Sequence, residues 1–265
     1  MHTPHDQPRP SIYYQYRVFD AWLPPAANHT DATAPVVIAG AGPIGMVAAL
    51  ELARHGVRCV LLESERQVSE GSRAIVFTRR SMEILQQVGV AGRITDNGLP
   101  WRFGNSFYRG QRVYRMQAPH DPDDRFFPMI NLQQQYLEEY LVDAVNAQPL
   151  IELRWANRVT AVAQTGTESA DGAAQAATGV TLTVDTPAGT YTLPADWLVA
   201  ADGARSGIRT LLDLKLEGSS YEGRFVIADI RIDLPLPTER LALFDPEWNP
   251  GNTVLMHREP HGIRR

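Results

Sequence analysis

The sequence has almost no cysteine and almost no lysine. Cys59 is the single thiol in 265 residues. No disulfide can form within the chain, which fits a reducing cytoplasm, and cysteine-based zinc sites are excluded. Cys59 lies in the apolar run Val57–Leu62 and reads as a buried structural thiol. Lys215 is the single lysine, and without any Gly-Lys-Ser/Thr sequence a P-loop is excluded. The seven histidines show no HExxH spacing, and no GxSxG elbow occurs. His120 with Asp121, Asp123 and Asp124 hints at a metal, but a solvated acidic turn is the better reading. No apolar run is long enough to span a bilayer, because Val36–Ala53 is broken by Gly40, Gly42, Pro43, Gly45 and Glu51. The net charge of −5 is too mild to point to nucleic acid or an anionic membrane. The first 34 residues are polar and proline-rich, with no signal-peptide core, and read as a poorly ordered or surface-draped leader. The sequon Asn28-His29-Thr30 within them reads as chance.

What is present is ordinary globular material, 44% hydrophobic and 21% charged, enough for a sizeable core. Val36-Val37-Ile38-Ala39 is a β-branched run typical of a buried parallel strand. A glycine-rich turn follows, then a helical pattern over Met46–His55 with Gly56 placed to stop it. Val57–Leu62 is a second buried strand, completing a βαβ unit. A helix is expected over Arg79–Val88 with Met82 and Leu85 on one face. Short antiparallel strands are expected over 97–127. The spacing of Leu137, Leu141 and Val145 predicts a helix over Asn131–Asn146. Strands follow at 150–165, 178–186 and 189–194, interrupted by a Gly/Ala/Ser-rich loop at 166–179. Trp197–Ala201 reads as a further buried strand running into Asp202-Gly203 and a helix over Ser206–Leu212. Residues 221–257 read as amphipathic strands of another sheet. No internal repeat is visible.

Gly40-Ala41-Gly42-Pro43-Ile44-Gly45 has the form GxGxxG, with a strand before it, a helix after it and Glu63 at the end of the next strand. Gly40 allows the tight turn, Gly42 lets backbone approach a pyrophosphate, and Gly45 permits close packing of helix on strand. The helix N-terminus offers N–H groups and a positive dipole end to phosphates. Glu63 is placed to accept hydrogen bonds from an adenosine ribose. The turn alone does not separate FAD from NAD.

Four blocks together resemble the flavin-dependent aromatic hydroxylases, single-component monooxygenases similar to 3-(3-hydroxyphenyl)propionate and phenol hydroxylases. They are Val37–Gly45 with Glu63; Ser72-Arg73-Ala74-Ile75 continuing to Arg80–Leu85; Asn131-Leu132-Gln133-Gln134 with Leu137, Glu138 and Leu141; and Ala201–Ser206 with Arg209. The resemblance covers Val36 to His257. It implies bound FAD and transient NADH or NADPH, since only one dinucleotide turn is present. It also implies that Arg73 contacts the pyrophosphate region, Gln134 the ribityl or ribose part, and Asp202, with Gly203, the ribityl hydroxyls. Bland readings stand beside these roles. Gln134 could complete a capping box with Asn131, Asp202-Gly203 could be a tight turn, and Ser206 reads as a helix N-cap.

The implied reaction is hydroxylation of a phenolic or aromatic substrate by O2 through a flavin C4a-hydroperoxide. No catalytic residue is assignable. The expected fold class is α/β: a three-layer FAD/NAD(P)-binding fold with a central parallel sheet, plus part of an antiparallel substrate domain. The expected boundaries are a leader at 1–34, a discontinuous FAD domain at 35–96 and 131–215, and substrate-domain segments at 97–130 and 216–265. The family continues past the equivalent of Arg258 with a Gly-Asp motif that holds the flavin, so the sequence is expected to be a fragment or a truncated product. A catalytically incompetent nucleotide-binding module and an NAD-dependent dehydrogenase are the alternatives. No nucleic-acid or membrane partner is expected, and no metal.

Overall fold

The computed structural model describes residues 1–26, 28–71, 73–165 and 178–265. Most of the expected 166–179 loop therefore lies outside the described residues, as does Ser72. The chain divides into two compact units, one of residues 1–10, 15–68 and 141–221, the other of residues 11–14, 69–140 and 222–265.

The first unit is built on a seven-stranded sheet. Ala34–Ala39, Cys59–Glu63 and Ile151–Trp155 run parallel, with Val37 opposite Val60 and Leu61 opposite Leu153. Both faces of the first two strands are covered, and Val37, Ile38 and Leu61 are fully buried. This is what continuous apolar runs in a parallel sheet require. The helix Pro43–Arg54 buries Met46, Ala49, Leu50 and Ala53, one stripe at helical spacing. It ends at Gly56, whose φ of 76° supplies the left-handed stop. Cys59 is buried, and burial pushes its thiol up to about 11, as a structural cysteine should behave.

The antiparallel strands Arg158–Thr165 and Gly179–Thr186 continue the hydrogen-bonded sheet and fold over its face, so that Leu182 and Val184 pack in one core with Val37, Val60 and Leu62 of the parallel strands. The join is one long strand, Gly189–Ala200. Its first half pairs antiparallel with Gly179–Thr186, and from Ala195 onward it pairs parallel with Ala34–Ala39. This corrects the expectation of a separate buried strand over Trp197–Ala201. Trp197 is 73% exposed and Val199 is exposed too. The apolar run there is one end of a continuous strand whose outer face no described residue covers.

The N-terminal segment is fastened to this unit. Arg9 pairs with Glu65 at 2.8 Å, the Phe19 N–H donates to the Arg66 carbonyl at 2.8 Å, and Phe19 stacks on Trp155. His29–Thr30 adds a short parallel strand beside Tyr191–Thr192. Buried Arg154 lies 2.7 Å from Asp31, donates to the Tyr191 hydroxyl at 3.0 Å and sits 3.9 Å over the Trp22 ring.

The second unit carries three small sheets. Phe103–Tyr108 and Gln111–Gln117 form a hairpin, and Arg240–Phe244 and Thr253–Met256 complete its four strands. Val76–Thr78, Met129–Asn131 and Leu99–Trp101 form an antiparallel trio, and Ile230–Arg231, Ile263–Arg264 and Arg258–Glu259 another. The helix Arg79–Gln87 buries Met82 and Leu85 as expected. Arg79 pairs with Asp124 at 2.8 Å, which holds the acidic turn at 121–124. The helix expected from Asn131 starts at Gln134, because Asn131 is the last residue of a strand paired with Val76 and Leu99. Among the described residues no helix is long and apolar enough to cross a membrane.

Candidate functional site

The glycine turn leaves the strand at Gly40 with φ 103°, a backbone state only glycine adopts without strain. The Gly40 N–H donates to the Leu62 carbonyl and the Ala201 N–H to the Ala39 carbonyl, each at 2.8 Å. Strand Gly189–Ala200 thus delivers Ala201 and Asp202 to the turn. The approach is close. A Cβ on Gly40 would lie 2.4 Å from the Ala201 carbonyl oxygen, and one on Gly45 would lie 1.9 Å from the Gly40 carbonyl oxygen. Both glycines are dictated by the chain's own packing.

Gly42 is different. Its φ of −73° and ψ of 179° suit any residue, and a Cβ there would meet nothing within 4 Å. It is the N-cap of the helix and makes no side-chain cap bond. Pro43 follows at the first helical position, no acid lies in the first turn, and Ile44 is exposed. The helix N-terminus therefore keeps its positive dipole end and its N–H groups without an anionic side chain of its own.

Glu63 reaches back to the turn. Its Oε2 accepts the Ala41 N–H at 2.8 Å, while Oε1 accepts the Glu65 N–H at 2.9 Å and the Ser64 hydroxyl at 3.2 Å. Burial raises its pKa, opposed by those three hydrogen bonds. Asp202 caps the helix Gly207–Leu211. Its Oδ1 accepts the Ser206 hydroxyl at 2.6 Å and its Oδ2 the Ile208 N–H at 3.1 Å. Ser206 is the N-cap, accepting the Arg209 N–H at 2.9 Å. Gly203 takes φ 79°, so the tight-turn reading of Asp202-Gly203 is part of the geometry. A carboxylate has about four lone-pair positions, so Glu63 and Asp202 each retain acceptor capacity.

The first unit therefore brings together Gly40, Gly42, Pro43, Ile44, Gly45, Glu63, Asp202 and Gly203. Arg73 and Gln134 belong to the second unit. Arg73 is exposed, its Nε donating to the Glu70 carbonyl at 3.2 Å. Gln134 makes no capping box with Asn131. Its Nε2 donates to Glu138 Oε1 at 2.6 Å, and Asn131 accepts the Trp101 indole N–H instead. Buried Glu138 also accepts the Ser69 N–H, tying the segment before Arg73 to the helix. Two contributors were missed by sequence reasoning. The Ala41 N–H and the Ala201 carbonyl act through backbone, and side-chain identity carries no signal for that.

The family model for an FAD binding domain matches residues 33–248. The chain belongs to this family. Para-nitrophenol 4-monooxygenase from Pseudomonas sp. (strain WBC-3) is 30% identical over 239 residues, covering 87% of this chain and 55% of that protein. The 3-(3-hydroxy-phenyl)propionate/3-hydroxycinnamic acid hydroxylase of Klebsiella pneumoniae (strain 342) is 28% identical, covering 92% of this chain and 41% of that one. The crystal structure of p-nitrophenol 4-monooxygenase PnpA from Pseudomonas putida DLL-E4 superposes with a TM-score of 0.76 at 26% identity, covering 88% of this chain and 56% of that chain. The flavin-dependent monooxygenase PieE, solved with FAD and substrate, gives 0.70 at 25% identity, with coverages of 89% and 42%. The FAD-binding chain thus spans about half the length of the relatives it matches, or less. The residues of its first unit fit the cofactor, since the space that a Cβ on Gly42 would fill is left open at a helix N-terminus.

Proposed function

We propose that this chain is the FAD-holding part of a monooxygenase that hydroxylates a phenolic ring using O2 and NADH or NADPH. The carrying observation is Gly42, glycine at a position where neither its φ nor any neighbouring atom demands one. A ligand drawn against the backbone supplies the reason. In this reading Gly40, Gly42, Pro43, Ile44 and Gly45 present backbone and helix N-terminus to the pyrophosphate. Glu63, already fixed by Ala41, takes the adenosine ribose, and Asp202 with Gly203 takes the ribityl hydroxyls. Arg73 and Gln134 keep their cofactor roles on the family resemblance alone. The flavin, when bound, supplies the hydride and oxygen chemistry, and the protein supplies binding, orientation and exclusion of water. The substrate class is taken from the relatives' names, and the hydroxylation proposed is that of the whole protein.

The test begins with visible absorbance of the purified protein before and after FAD addition and desalting. Retained flavin bands are expected, and a colourless protein would overturn the cofactor reading. Phenol-dependent NAD(P)H oxidation that yields a hydroxylated product is expected next. Oxidation yielding only hydrogen peroxide, whatever phenol is added, would overturn the monooxygenase reading.

A further inference from the structure

In the second unit, two wholly buried side chains make no hydrogen bond among the described residues. Gln133 is 0% exposed with neither amide atom bonded, and Glu259 is 1% exposed with neither carboxyl oxygen bonded. The segments carrying them run side by side. Asn131 Nδ2 donates to the Arg258 carbonyl at 2.8 Å, and the Tyr136 and His261 rings pack at 5.3 Å. Gln133 lies between Asn131 and Tyr136 on one segment, and Glu259 between Arg258 and His261 on the other.

The neighbouring charges are already engaged. Arg265, the cation that acts on Glu259, is clamped by Asp229 through Nε at 2.5 Å and Nη2 at 2.8 Å. Arg264 donates to the carbonyls of Leu234 and Leu236. Burial raises the Glu259 carboxyl to about 8 and lowers the His257 imidazole to about 4, so both are mainly neutral at pH 7. Trp101 lies edge-on to His257 at 5.9 Å. The two charges that act on Glu259, Arg265 and Asp229, are thus paired with each other, and Tyr136, His257 and His261 supply rings on the flanking residues. Folded proteins keep few unbonded buried polar groups, because each reduces stability.

We propose that Gln133 and Glu259 form the polar end of a ligand site in this unit and bind the hydroxyl of an uncharged aromatic molecule. The protonated carboxyl and the carboxamide together offer the hydroxyl both a donor and an acceptor, and the rings offer apolar contact. The inference rests on the phenolic substrate proposed above and adds the residues that recognise its hydroxyl. Buried water bonded to the same groups is the competing occupant.

Equilibrium dialysis of the 265-residue protein against 4-cresol and 4-methylanisole decides between them. Wild type should bind the cresol at least tenfold more tightly. Glu259→Gln should keep that preference, while Gln133→Met and Glu259→Met should lose it and melt no lower than wild type. No preference in wild type, or an unchanged preference in both Met variants, would overturn the site. Met variants that melt lower or fail to fold would overturn it too, since water then serves the fold there. FAD retention on the same samples separates the two readings. Flavin bound without hydroxyl preference sinks this site alone, and hydroxyl preference without flavin sinks the flavoprotein reading alone.

Discussion

Replacing Gly42 with alanine should weaken FAD binding while leaving the fold alone. The extended backbone at Gly42 accepts alanine, and the new methyl would touch no protein atom within 4 Å. Two small effects remain. Loss of unfolded-chain freedom stabilises by about 0.4–1 kcal/mol, and alanine is the poorer N-cap by several tenths of a kcal/mol. They nearly cancel, so the melting temperature should move by less than about 2 °C. Gly45→Ala is the control. Its Cβ would stand 1.9 Å from the Gly40 carbonyl oxygen, so backbone must separate. That costs on the order of 3 kcal/mol or more, which is roughly 6–12 °C in melting temperature. For FAD the order reverses. The Gly42→Ala methyl holds the pyrophosphate off the helix N-terminus and weakens one or two charge-assisted hydrogen bonds, together about 2–3 kcal/mol, a loss of roughly 30–150-fold in affinity. Circular dichroism melts without cofactor and quenching of flavin fluorescence on titration read the two quantities separately. The reasoning is refuted if Gly42→Ala binds FAD within threefold of wild type, or melts as low as Gly45→Ala.

Two further perturbations have signs fixed by the structure. The Glu259 carboxyl rises from 4.5 to about 8 on folding, so the folded state holds the extra proton and stability falls as pH rises between those values. His257 is held down at about 4 from 6.5, and its effect is confined to lower pH, where stability falls as pH drops. From about pH 6.5 to 8 wild type should therefore lose about 1.6 kcal/mol relative to Glu259→Gln, and parallel melting profiles for the two proteins would refute this. Arg154→Ala strands Asp31 and removes the cation over Trp22, and should cost about 3–5 kcal/mol in urea unfolding. A cost below about 1 kcal/mol would show that the buried pair is replaceable by water.

The glycine turn was legible because its information is local, a strand, a turn with fixed φ demands and a helix within about twenty residues. Ser206 was legible as an N-cap for the same reason. Asn131 was misread because its helical spacing is real, yet pairing with Val76 and Leu99 outweighs that local preference and delays the helix to Gln134. Trp197 was misread because an apolar run signals a strand without saying which face is covered. Nothing in the spacing of Gln133 and Glu259 announces that both are sealed from water, since their segments meet only in the folded unit. The Ala201 carbonyl was invisible for a deeper reason: it forces glycine at position 40 through an atom every residue has.

That carbonyl also governs when the turn is finished. Gly40 is made about 160 residues before the backbone that closes on it, residues 200–202 at the far end of the strand Gly189–Ala200. The helix Pro43–Arg54 and strand Cys59–Glu63 can form from neighbouring sequence. The completed turn must await a contact of large sequence separation, with its loop-closure entropy and slower rate. Cofactor capture by this chain is therefore a late event in folding, and the appearance of bound flavin during refolding times the docking of that last parallel strand.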